Sequence, residues 1–172
     1  AVLILCLAGA GAAAKQTRPT VALVLGGGSA RGFSHIGLIK ALEENGIPID
    51  MIVGTSMGSI VAGLYAAGYS VENMEQLATH LDTSKLLDIP LPPTGGVVDS
   101  TGIQQFLDVL LDGKTYDQLP IPFKSVVVNL GTGRELALDE GLVSVGIQAS
   151  MSIPGVFPPV QIGDAYYVDG GL

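Results

Sequence analysis

Tryptophan is absent from this 172-residue chain, cysteine occurs once and histidine twice. The single Cys6 has no partner for an intrachain disulfide, even in an oxidising compartment. His35 and His80 both fall in the first half of the sequence. Neither occupies the late strand end where a triad histidine follows its acid in a serine hydrolase of ordinary chain order. Basic residues are few: 8 Lys and Arg against 16 Asp and Glu give a net charge of −8, which repels a phosphate backbone and an anionic membrane surface alike. Nucleic acid is therefore set aside as a partner, and any lipid would have to be met by apolar contact. Charged residues make up 14% of the chain and hydrophobic ones 48%, which excludes disorder and fits one packed domain. No internal repeat or low-complexity tract follows the first twenty residues.

Residues 1–14 carry no charge and run from an apolar stretch into Ala12, Ala13 and Ala14. This suits the core and cleavage site of a secretory signal whose basic start is missing, with a buried first strand or helix as the alternative. The run is short for a membrane span. On the signal reading, residues 1–19 are signal remnant and linker, and the expected destination is secreted, periplasmic or cell-envelope. Without a signal it is cytoplasmic. The chain also begins without Met, which points to a fragment at its N-terminus.

What is present is organised around residues 51–60, which contain Gly54-Thr55-Ser56-Met57-Gly58, a match to G-x-S-x-G. A short apolar run enters the pentapeptide and a helical apolar segment leaves it, so the expectation is strand, sharp turn, helix. A serine at such a tip is held in a strained backbone, with its hydroxyl exposed at a helix N-terminus. Gly54 and Gly58 flank it because a side chain there would collide with the neighbouring strand or helix.

Upstream, residues 20–25 form a continuous apolar run suited to a strand buried on both faces. It ends on Gly26-Gly27-Gly28-Ser29-Ala30-Arg31-Gly32, and a helix pattern follows to an Asn45-Gly46 stop. One reading of this glycine turn is a dinucleotide or phosphate cradle, but the spacing is not G-x-G-x-x-G and no Lys-Ser or Lys-Thr follows. The other is an oxyanion hole, in which consecutive glycines let several N–H groups converge on a developing negative charge, helped by a helix starting near Arg31. His35, early in that helix, reads as a buried structural histidine and His80 as a solvated helix end.

Downstream the pattern predicts helices over residues 71–80, 101–111 and 143–151, and buried strand 123–130 with a hairpin partner at 135–138. Residues 86–96, rich in proline, glycine and leucine, form a long apolar loop that is either packing or a lid. The chain closes with strands near 160–162 and 165–168, then Asp169-Gly170-Gly171. Asp169, at a late strand end with space around it, is the candidate base for Ser56. The plain alternative is a turn.

These blocks, with Ala149-Ser150-Met151-Ser152-Ile153-Pro154-Gly155-Val156-Phe157-Pro158-Pro159 between the last two, resemble the patatin-like phospholipase family in the same order. The resemblance covers nearly all of residues 20–172, which would form the catalytic domain. It implies a three-layer α/β/α sandwich with a mainly parallel central sheet and a Ser56–Asp169 dyad. It also implies an oxyanion hole at Gly26, Gly27 and Gly28, with Arg31 beside it and Gly32, Gly54, Gly58, Gly170 and Gly171 in support. The implied activity is acyl hydrolysis of a lipid or phospholipid substrate, with transient membrane-surface contact, no metal, no cofactor and no catalytic histidine. Acyl transfer and non-catalytic lipid binding are the alternatives. The family's fold continues beyond the D-G-G block, so a C-terminally truncated domain is expected; the sequence is silent on oligomeric state.

Overall fold

The computed structural model describes residues 2–7, 18–80 and 101–172. Seven strands form one sheet: β1 (Val2–Leu7), β2 (Thr20–Leu25), β3 (Met51–Thr55), β4 (Phe123–Asn129), β5 (Glu135–Leu138), β6 (Val160–Ile162) and β7 (Ala165–Asp169). The helices are α1 (Ser34–Glu44), α2 (Met57–Ala66), α3 (Val71–His80), α4 (Thr101–Leu111) and α5 (Val143–Met151), with short 3-10 turns at Ser29–Phe33 and Tyr116–Gln118.

Two parallel pairings, β2 with β3 and β3 with β4, make the centre of the sheet. Every other pairing is antiparallel: β1 on β2, β5 and β7 on β4, and β6 on β7. The sheet is therefore mixed, with its parallel part confined to the strands joined through helices. The apolar N-terminal run lies as β1 along β2, with Val2 opposite Leu25 and Leu7 opposite Thr20.

One core holds the layers together. Leu23 and Leu25 of β2, Ile52 of β3 and Phe123 of β4 share it with residues from each of the five helices among the described residues, including Ile39, Val61, Met74, Leu107 and Ile147. Alternate strand residues Val24, Val53 and Lys124 are only half-buried. Of the three expected layers, the described residues build the sheet and one helical layer, and the α/β class is as the sequence implies. Burying a Leu or Ile completely contributes about 1.5–3 kcal/mol. Exposed ion pairs such as Lys40–Glu75 contribute about 0–1 kcal/mol, so packing dominates. Gly63 lets α5 press close to α2, because a methyl there would meet Ile147 Cδ1 at 2.5 Å. That closeness brings the end of α5 to the start of α2.

Candidate active site

The chain leaves β3 at Thr55 and turns at Ser56 with φ 54° and ψ −124°, before α2 begins at Met57. This is a conformation that glycine accepts and an L side chain resists, so Ser56 is held under backbone strain. The neighbouring backbone enforces it. A methyl on Gly54 would come within 2.5 Å of the Gly58 carbonyl, and one on Gly58 would come within 2.6 Å of the Gly26 carbonyl. Ser59 N–H donates to the Ser56 carbonyl at 2.8 Å and closes the turn.

Asp169 reaches the same place by a different route. Thr55 of β3 lies opposite Val126, and Asp169 of β7 lies opposite Val127. β5 takes the other edge of β4, pairing Ala137 with Val126 and Leu136 with Val127. It follows that β3 and β7 share one edge of β4. Because β3 runs parallel to β4 and β7 antiparallel, their C-terminal ends face each other at adjacent residues of β4. Ser56 and Asp169 leave from those facing ends. Gly170 continues directly over Val126, where a side chain would fall on the Val126 carbonyl.

The C-terminal end of α5 holds both strand ends. Ser56 N–H donates to Ser150 Oγ at 2.9 Å, and the Ser150 hydroxyl donates to the Val126 carbonyl at 2.6 Å. Asp169 N–H donates to the Ser152 carbonyl at 3.0 Å. Ser150, Ser152 and Asp169 are all buried. Gly171 N–H donates to Asp169 Oδ1 at 2.7 Å, fixing the carboxylate's orientation. Among the described hydrogen bonds none runs from Ser56 Oγ to Asp169; such contacts commonly tighten only with substrate bound.

The third part is the loop after β2. Gly27 lies against Ser56: a methyl on it would stand 3.2 Å from Ser56 Cβ and 4.0 Å from Ser56 Oγ. Gly27 and Gly28 are exposed and Gly26 half-buried, so the loop is open to a ligand. Arg31 N–H donates to the Gly28 carbonyl at 3.0 Å, while its side chain is exposed with no ion pair among the described residues. The helix after the loop starts at Ser34 rather than near Arg31. Residues 29–33 wind first as a 3-10 turn, with Gly32 packed on the Met57 side chain. The expected dipole is thus set back from the loop by that turn.

His35 is buried, and its Nε2 lies 2.8 Å from the Gly26 carbonyl. His80 is exposed at the end of α3, with Nδ1 2.9 Å from the Gln76 carbonyl. Both match the sequence expectation, but the partner of His35 was not foreseen. Ser150, within the 149–159 block, has no role in the sequence reading. Its signal was available: Val143, Ile147 and Ser150 lie on one helical face, and a small hydroxyl on an otherwise apolar buried face requires a hydrogen-bond partner. Among the described residues no three His, Cys, Asp or Glu side chains gather as metal ligands. A cavity of about 550 Å³ lined by Tyr69, Asn73, Gln76, Leu77, His80 and Leu110 contains none of the site residues. The lid candidate, residues 86–93, lies outside the described residues.

The chain resembles known proteins over most of its length. A family model described as patatin-like phospholipase matches residues 23–172. An uncharacterized NTE-family protein of Mycobacterium tuberculosis is 36% identical over 159 residues, which cover 91% of this chain and 44% of that protein. The human patatin-like phospholipase domain-containing protein 6 is 36% identical over 150 residues, 84% of this chain and 11% of its own. Lysophospholipase NTE1 of Debaryomyces hansenii is 34% identical over 161 residues, 88% of this chain and 10% of its own. This chain thus spans less than half the length of these relatives. The crystal structure of VipD from Legionella pneumophila superposes with a TM-score of 0.65 at 16% identity, covering 99% of this chain and 49% of that one, a likeness of fold. No helix among the described residues is long and apolar enough to cross a membrane.

Proposed function

The chain belongs to the patatin-like phospholipase family, and on that premise we propose that it is a serine acyl hydrolase of phospholipase A type, working through Ser56 and Asp169. The observation that carries the reading is the shared edge of β4, where Thr55 opposite Val126 and Asp169 opposite Val127 put the two residues at facing strand ends. The buried carboxylate takes the proton of the Ser56 hydroxyl as Oγ attacks the ester carbonyl carbon. The carbonyl electron pair moves onto oxygen, and N–H groups of the Gly26, Gly27 and Gly28 loop hold that charge. Collapse expels the alcohol, which leaves with the proton from Asp169. Water then gives a proton to Asp169 and attacks the acyl carbon, and the fatty acid leaves as Ser56 recovers its hydrogen.

The substrate class is a phospholipid or lysophospholipid ester. The relatives' names, a patatin-like phospholipase domain-containing protein and a lysophospholipase, support it. A net charge of −8 disfavours docking to an anionic bilayer, so transient surface contact would be apolar. A lid at residues 86–93 belongs to the same proposal; export through the charge-free run of residues 1–14 competes with the pairing of Val2–Leu7 as β1 on β2. Hydrolysis of a medium-chain p-nitrophenyl ester should fall by about 10³-fold or more in both Ser56→Ala and Asp169→Asn, with unchanged far-UV circular dichroism. Full activity in either variant sinks the dyad. Free fatty acid as the product in the presence of an alcohol acceptor separates hydrolysis from transfer, and covalent labelling of Ser56 by a fluorophosphonate separates an enzyme from a lipid-binding module.

A further inference from the structure

We propose that His35 is a positioning residue that latches the oxyanion loop, a role resting on the hydrolase reading above. A carbonyl oxygen can only accept, so the 2.8 Å contact between His35 Nε2 and the Gly26 oxygen requires the proton on Nε2. That bond points the Gly26 carbonyl inward. Gly58 independently marks the same direction, since a methyl on it would lie 2.6 Å from the Gly26 oxygen. In a trans peptide the C=O and the following N–H point in opposite directions. With the Gly26 carbonyl turned into the protein, the Gly27 N–H is turned outward, from a residue already packed on Ser56 Cβ.

The latch is needed because Gly26, Gly27 and Gly28 are consecutive glycines, two of them exposed. Without side chains, this peptide plane can rotate with little steric opposition. A half-turn would aim the Gly26 carbonyl, an acceptor, at the position of the developing oxyanion and withdraw the Gly27 donor. A bond from a buried ring on α1 opposes that half-turn. The imidazole touches no reacting atom and holds the donor through one peptide.

Three variants at His35 read the latch. His35→Gln carries an amide N–H with the reach of Nε2, His35→Asn carries the same amide about one bond short, and His35→Met fills the volume with no donor. Removing an oxyanion donor outright costs about 10²–10³ in kcat. The latch predicts a fall in kcat of about tenfold or more in Asn and Met, with KM within about twofold, and recovery to within about threefold of wild type in Gln. Fluorophosphonate labelling of Ser56 should slow in parallel, because the phosphonyl oxygen uses the same donors. Equal kcat and labelling rates in Gln, Asn and Met overturn the latch, whether all are wild-type or all equally impaired. Should Met fail to fold, the Gln and Asn pair, equally polar, decides alone. If wild-type protein itself is not labelled at Ser56, the hydrolase reading fails; labelling of wild type with no spread among the variants fails only the latch.

Discussion

Replacing Ser56 with glycine should make the protein inactive and more stable. At φ 54° and ψ −124° the serine occupies a backbone region that L residues avoid, and such strain costs about 1–3 kcal/mol. Glycine adopts it without steric opposition. Against this gain, glycine loosens the unfolded chain by about 0.4–1 kcal/mol. Little else is lost: the hydroxyl makes no hydrogen bond among the described residues, and the backbone bond from Ser56 N–H to Ser150 Oγ survives the change. The balance favours Ser56→Gly by about 1 kcal/mol. Ser56→Ala keeps Cβ and hence the strain, so it should match wild type in stability.

For a domain of this length, about 1 kcal/mol corresponds to a Tm shift of roughly 2–4 °C. Thermal unfolding of wild type, Ser56→Ala and Ser56→Gly, followed by circular dichroism at neutral pH, measures the difference directly. The expected order is Gly above Ala, with Ala level with wild type, and ester hydrolysis absent from both variants. A Ser56→Gly protein that melts at or below Ser56→Ala would refute the claim that the turn stores strain. It would leave the chemistry untouched.

Ser150→Ala strips the acceptor from Ser56 N–H and the donor from the Val126 carbonyl, both recorded at 2.9 Å or less. Leaving such buried groups unpaired costs about 1–3 kcal/mol each, so a drop of about 2 kcal/mol or more in urea unfolding is expected, together with a lower kcat as the serine turn loosens. Asp50 is held down at about 2, against an ordinary 3.8, by the Arg18 guanidinium and the Val21 N–H. A depressed carboxyl contributes stability above its unfolded value and loses it as pH falls toward the folded one. Urea midpoints should thus show an Asp50-dependent loss between about pH 4 and pH 2, which Asp50→Asn flattens.

The strand-turn-helix at Ser56 was legible in sequence because its determinants are local: an apolar run, two glycines at fixed spacing, and an apolar helix. The helices at residues 71–80, 101–111 and 143–151 were legible for the same reason. Strand direction was not. The sequence favoured a mainly parallel sheet, yet β7 lies antiparallel on β4, because β3 pairs only with residues 123–126 and leaves the end of that strand open. No local pattern announces an unfilled edge. The partners of His35 and Ser150 were not legible for a related reason: each bonds to main chain, the Gly26 carbonyl in one case and Ser56 N–H and the Val126 carbonyl in the other. A backbone partner has no residue type to read.

The facing strand ends would also fix the geometry of the proposed Ser56–Asp169 pair, which has no histidine between its members. In a three-residue relay a mobile imidazole can absorb small errors of placement. Here the two partners are set by main-chain register, and register in a sheet is discrete. A slip of β7 by one residue along β4 would turn Asp169 to the opposite face and bring Val168 or Gly170 into its place. The hairpin that precedes Asp169 guards against this. Ile162 pairs with Ala165 across the two-residue loop Gly163-Asp164, with Gly163 at φ 60°, the positive first position that a type II′ turn demands. Leu130 N–H then donates to the Tyr166 carbonyl at 2.8 Å, and Asp169 N–H to the Ser152 carbonyl at 3.0 Å, pinning β7 near both ends. The proposed pairing of Ser56 with Asp169 therefore depends on a turn six residues before Asp169 as much as on the serine turn itself.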